Sequence, residues 1–106
     1  MAILGYGRFG RALAQLAQDN GLEISAYDPA SQVPSAVAAA SPASLVAGAL
    51  DVILAVPTAE TRNALLSLES YLTAQHLIVD VGSVKCLAVQ ALTDVLGKRI
   101  PWIATH

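Results

Sequence analysis

Charge, aromatic rings and sulfur are all scarce in this chain. Charged residues make up 13% and aromatic ones 5%, with one cysteine, one methionine, one tryptophan and one phenylalanine. Six Lys+Arg against eight Asp+Glu leave a net charge of −2. No basic stripe is available to neutralise a nucleic-acid backbone, so no nucleic-acid partner is expected. The lone Cys86 excludes an internal disulfide and suits a reducing compartment, which makes a cytoplasmic location the expectation. Apolar runs such as "VILAVP" at 52–57 fall far short of a bilayer span, so no membrane partner is expected either. No charged n-region followed by an apolar stretch and a cleavage site opens the chain, which reads as the absence of a signal peptide. His, Cys and acidic residues do not cluster at metal-ligand spacing, and no Ser-His-acid order suggests a hydrolase, so no metal is expected.

What the chain has in quantity is apolar surface. Hydrophobic residues are 55% of 106, enough for the core of a single domain over residues 1–106, with no repeat and no linker. A surface so poor in charge also suits cover by another domain or subunit.

Short apolar stretches alternate with stretches of helical period. "MAIL" (1–4) reads as a clipped buried strand. In "RFGRALAQLAQDNG", Phe9, Leu13, Leu16 and Ala17 recur at helical spacing, with Gly21 as the stop. "EISAYD" (23–28) reads as a second strand, "SAVAAA" as a further short one, and "SPASLVAG" as a helical turn. "DVILAV" (51–56) is apolar on both faces, which suits the middle of a parallel sheet. Pro57 ends it, and Thr58 is placed to cap a helix carrying Leu65, Leu68 and Leu72. "HLIVDVG" (76–82) is the next strand, and Ser83 is an N-cap candidate for "VKCLAVQALTDVLG", which Gly97 closes; "IPWIATH" is the last strand. Alternation of this kind predicts an α/β fold with a doubly wound parallel sheet of about six strands, in three α/β/α layers.

The stretch "ILGYGRFGRALAQLAQDNGLEISAYD" (3–28) places Gly5, Gly7 and Gly10 at the first strand-to-helix junction. A glycine at 5 permits the tight turn, one at 7 lets a pyrophosphate approach the backbone, and one at 10 lets helix pack on strand. The positive helix end then attracts phosphates. Asp28, 18 residues beyond Gly10, is placed to accept hydrogen bonds from ribose hydroxyls and to repel a 2′-phosphate. The reading is a dinucleotide site, NAD favoured over NADP, though G-x-G-x-x-G alone also fits a bare turn. Arg8 points the other way on the second choice, since a guanidinium could serve a phosphate; it could equally be a solvated arginine. The strand end Val56-Pro57, with Thr58, is expected to line the nicotinamide end of the crevice.

"DVGSVK" (80–85), followed by a strand ending in "ATH" (104–106), resembles the prephenate and arogenate dehydrogenases of tyrosine biosynthesis. "GYGRFG" (5–10) is similar to the G-[FY]-G-x-F-G form found among arogenate dehydrogenases. The resemblance covers residues 1–106 but only the cofactor half of a typical member. It implies a Rossmann-type domain that holds NAD through the loop Gly5, Tyr6, Gly7, Arg8, Phe9 and Gly10, with Gly82 at the far end. It further implies that His106 accepts the ring-hydroxyl proton of prephenate or arogenate as hydride passes to the nicotinamide and carbon dioxide leaves. Ser83 would hydrogen-bond that histidine. Imidazole is the side chain whose unperturbed pKa suits a base near neutrality.

Each of these residues also has a plainer reading. His106 could be a frayed end or the start of a tag, and Ser83 only a helix cap. Lys85 reads as a solvated helix-start residue, Asp80 as packing or polar bridging, His76 as exposed, and Cys86 as a small core hydrophobe. Typical members continue into a helical domain that supplies substrate-binding basic residues and most of a homo-oligomer interface. That domain is absent from this sequence, so the chain alone is expected to show little or no dehydrogenase activity. Two alternatives stay open: a non-catalytic dinucleotide-binding or sensor module, and the cofactor domain of a β-hydroxyacid-type dehydrogenase. Neither needs "GSVK" followed by a strand-end histidine.

Overall fold

The computed structural model describes residues 1–82 and 85–105, Lys85 by its main chain alone. Among the described residues five strands, β1 (Ala2–Leu4), β2 (Ser25–Tyr27), β3 (Asp51–Leu54), β4 (Leu77–Asp80) and β5 (Trp102–Ala104), alternate with four α-helices, α1 (Arg8–Asp19), α2 (Pro42–Ala47), α3 (Thr61–Leu68) and α4 (Lys85–Val95). All strands are parallel, in the order β2-β1-β3-β4-β5. The fold is therefore the doubly wound α/β arrangement that the alternation predicts, with β3 central. The sheet has five strands where the sequence suggested about six. Of the "SAVAAA" stretch only Ala38 pairs with the sheet, through one bridge to Ala26; a run of alanines offers little side chain to hold a strand in place.

The two-residue alternation along each strand sorts the core into two halves. Ala2 and Leu4 of β1, Val52 and Leu54 of β3 and Ile78 of β4 pack beneath α2, α3 and α4, with Leu45, Leu65, Leu68 and Leu92 above them. Ile3 and Ile53 face the other way, with Ala26, against Ala14 of α1, Tyr6 and Val37. Three helices cover the first face and one helix covers the second. Along the register row Ala26–Ile3–Ile53–Val79–Ile103, exposure accordingly climbs from 0% at Ala26 and Ile3 to 9% at Ile53 and 47% at Ile103.

Four local expectations are corrected. Helix α1 buries Gly10, Ala14 and Ala17, whereas Phe9 and Leu16 are more than half exposed. At the start of the helix a Cβ on Gly10 would collide with the Gly5 carbonyl, and of the leucines only Leu13 packs partly against the core. Thr58 does not cap a helix: Thr58–Glu60 forms a 3₁₀ turn, Pro57 precedes it, and α3 starts at Thr61 with no side-chain cap. His76 is buried, because both of its ring nitrogens have partners within the fold. Cys86 is exposed on α4. Leu65, Leu68 and Leu72 all point into the core, although α3 ends at Leu68 and a 3₁₀ turn, Glu69–Tyr71, separates Leu72 from it. Ser41 and Ser44 cap α2 reciprocally, each side chain accepting the other's amide.

Candidate functional site

The strand order reverses between β1 and β3, since β2 lies on one side of β1 and β3, β4 and β5 on the other. At such a switch point the loops leaving the strand ends diverge and open a crevice. The loop after β1 begins with Gly5 at φ +107°, a conformation that side chains rarely tolerate. A Cβ there would also collide with the main-chain carbonyl of Ala55, and one on Gly10 would collide with the carbonyl of Gly5. Gly7 differs: it is the N-cap of α1, and a Cβ on it would meet nothing within 4 Å. Two glycines are thus required by protein on the inside of the turn, and the third faces open space at the head of a helix. Because Gly7 offers no side-chain cap, no side chain among the described residues caps the first turn of α1. Amides in that position are ready anion donors.

Tyr6 turns its side chain inward, 7% exposed, with the Arg11 guanidinium 5.7 Å from the ring centroid. It meets the crevice only through its main chain, where its N–H donates to Asp28 Oδ2 at 2.7 Å. Asp28 Oδ1 accepts the Ala30 N–H at 2.8 Å. Arg8 and Phe9 are exposed on the outer part of α1, Arg8 beside a shallow hollow shared with Arg11, Ala12 and Gln15. Beside the loop lies a cavity of about 660 Å³, within the range of small-molecule and cofactor sites. Gly7, Asp28, Val56 and Pro57 line it, together with Asn63 and Ser67 of α3.

Sequence reasoning did not single out Asn63 and Ser67, nor Glu60, which lines the same cavity. The available signal was polar residues at 60, 63 and 67, the spacing of one helix face, opposite the leucine face of α3.

The second cluster sits where β3 and β4 end. Were Gly82 to carry a Cβ, Thr58 Oγ1 would stand 3.6 Å from it, as would Asp80 Oδ1. Asp80 is 1% exposed, and its carbonyl accepts both the N–H and the hydroxyl of Thr105, at 2.8 and 3.0 Å. Thr58, Asp80, Gly82 and Thr105 are thereby gathered from three separate segments. Ser83 and His106 lie outside the described residues, as does the Lys85 side chain. No group of three or more metal-ligating side chains occurs among the described residues, and no helix among them is long and apolar enough to cross a membrane.

The prephenate dehydrogenase nucleotide-binding domain family matches residues 13–106. Prephenate dehydrogenase from Aquifex aeolicus superposes with a TM-score of 0.75 at 24% identity, covering 96% of this chain and 41% of that one. The 3-hydroxyisobutyrate dehydrogenase of Mycobacterium tuberculosis gives 0.80 at 19% identity, over 97% of this chain and 38% of that one. A Streptomyces aurantiacus imine reductase gives 0.77 at 20% identity, over 96% and 38%. The chain therefore spans about two fifths of the length of these structures. No curated protein matches it in sequence.

Proposed function

Because the chain belongs to the prephenate dehydrogenase nucleotide-binding domain family, we propose that it is the NAD-holding part of a dehydrogenase acting on prephenate or arogenate. The observation that carries the reading is the glycine loop set beside the cavity, with open space at Gly7 and the Asp28 carboxylate on the cavity wall. The residues fit such a cofactor: among the described residues no side chain caps the head of α1, and the Asp28 carboxylate on the cavity wall is an acceptor of the kind ribose hydroxyls require. NAD is favoured over NADP on the charge of Asp28, which opposes a 2′-phosphate.

When bound, the cofactor supplies the hydride acceptor. The chain's own contribution is to bind and orient. First-turn amides of α1 donate to phosphate oxygens, Asp28 accepts from ribose hydroxyls, and Val56, Pro57, Thr58 and Gly82 border the nicotinamide end. His106 takes the substrate's ring-hydroxyl proton and Ser83 orients that imidazole; both roles follow from the resemblance of "DVGSVK" and "ATH" to the family pattern. Aromatisation with loss of carbon dioxide makes the product side strongly downhill, so positioning is the main demand on the protein. Substrate-binding basic residues and a homo-oligomer interface are assigned to a helical domain beyond this sequence, in a cytoplasmic enzyme.

Calorimetric titration of the chain with NAD⁺ and NADP⁺ tests the cofactor reading. Tighter binding of NAD⁺ is expected; tighter NADP⁺ would overturn the choice of cofactor, and no binding of either would overturn the site. Mixing the chain with a family member's helical domain and assaying prephenate and arogenate turnover tests the chemistry. Turnover that disappears in His106→Ala is the expected result.

A further inference from the structure

We propose that Asp28 is a positioning residue for the glycine loop as well as a ribose acceptor: its carboxylate sets the main chain that receives the phosphates. The idea deepens the cofactor reading and takes its ligand from it. Tyr6, 22 residues away in sequence, donates its amide to Oδ2 at 2.7 Å, and Ala30 donates to Oδ1 at 2.8 Å. The preceding amide, that of Gly5, donates to the Tyr27 carbonyl at 2.9 Å. Consecutive amides of the loop are therefore held by consecutive residues at the end of β2. Main chain supplies the first acceptor whatever the residue at 27; the second exists only because residue 28 carries a side-chain acceptor of this length.

The geometry around the clamp explains its strength. Gly5, at φ +107°, turns the chain so that both amides face β2, and the buried Tyr6 ring anchors the same residue from the opposite side. Amide bonds to a carboxylate are about twice as strong as neutral ones. A carboxylate offers about four acceptor sites, so two amides leave room for ribose hydroxyls on the same group. The loop is thus shaped before any ligand arrives, which lowers the ordering cost of binding.

A ribose-only role and a clamp predict opposite signs for a ligand without ribose. Inorganic pyrophosphate can meet the loop but has nothing for a ribose acceptor to bind. Deleting the Asp28 charge would, by electrostatics alone, leave pyrophosphate binding unchanged or tighter. Loss of the clamp makes it weaker. The experiment compares the parent chain, Asp28→Ala and Asp28→Asn by amide hydrogen exchange without ligand, and by pyrophosphate titration followed on the Gly7 and Arg8 amide shifts. Expected in Asp28→Ala are Tyr6 amide exchange faster by about ten-fold or more and pyrophosphate binding weaker by roughly five-fold. Asp28→Asn, equally uncharged but keeping one amide acceptor, should fall between the two. Unchanged Tyr6 exchange overturns the proposal, as does pyrophosphate binding that is unchanged or tighter in Asp28→Ala. Failure of NAD⁺ itself to bind the parent chain would count against the cofactor reading and leaves the Tyr6 exchange measurement, made without ligand, decisive.

Discussion

His76 joins two parts of the chain 30 residues apart: its Nε2 and the main-chain oxygen of Val46, in α2, are 3.1 Å apart. The other ring nitrogen, Nδ1, accepts the Thr73 amide at 2.9 Å. An amide can only donate, so Nδ1 is unprotonated in this arrangement and Nε2–H donates to Val46. The turn before β4 is in this way fastened to the helix beside it, and one buried imidazole completes both contacts.

Removing that imidazole leaves the Thr73 amide without its acceptor and takes one of two donors from the Val46 carbonyl, which keeps the Ala49 amide at 3.3 Å. His76→Ala should destabilise the fold by about 2–3 kcal/mol, the range for unsatisfied buried groups plus lost packing. Urea denaturation followed by circular dichroism measures it. NAD⁺ affinity under native conditions should stay as in the parent chain, since His76 does not line the cavity.

The glycines of the first loop separate fold from function. Gly5→Ala places a side chain at positive φ and against the Ala55 carbonyl, and should cost about 2 kcal/mol or more. Gly7→Ala has open space around it and should cost at most about 1 kcal/mol, the preference of an N-cap for glycine over alanine. Its methyl enters the space proposed for the pyrophosphate, so NAD⁺ should bind roughly ten-fold more weakly, equal to about 1.4 kcal/mol. Stability curves and calorimetry on both variants check the contrast; equal affinity for Gly7→Ala and the parent would place the nucleotide elsewhere.

Asn63 tests the far wall of the cavity. Its side chain is exposed, so Asn63→Ala should leave stability within about 0.5 kcal/mol. If α3 borders the bound nucleotide, NAD⁺ affinity should fall about five-fold, the value of one net hydrogen bond. Pyrophosphate binding, which involves the opposite wall, should not change.

The graded row across the sheet predicts graded costs. Ile53→Ala, in the row's buried middle, should destabilise by about 2–4 kcal/mol through lost transfer energy and a cavity. Ile103→Thr at its exposed end should stay within about 0.5 kcal/mol. Both are read from urea midpoints. An equal loss at the two positions would show that α1's side of β5 is covered in solution.

Much of the fold was legible because its signals are local. Strand stretches read as β-branched apolar runs, and α3 could be placed from leucines at 65 and 68 because helical period and burial agree there. "SAVAAA" misled, since alanine carries almost no preference for a pleated, half-buried surface and the neighbouring segments had to decide whether it paired. Phe9 and Leu16 misled for a different reason. Apolar spacing marks a candidate inner face but does not reveal how close a helix lies to its neighbours. Gly10 against the Gly5 carbonyl leaves no room there for a side chain, and Phe9 and Leu16 are turned outward while Leu13 packs partly inward.

The site divides along the same line. Residue identity alone placed three glycines at a strand-to-helix junction and an acid at the end of the next strand, because turn conformation and strand termination depend on neighbours in sequence. Tertiary structure decided what those residues touch. It brought the Tyr6 amide to Asp28 across 22 residues, set the polar face of α3 opposite them, and buried His76 against α2. Such pairings depend on strand order and helix placement, which arise from packing the whole chain at once and leave no mark on any short stretch of sequence.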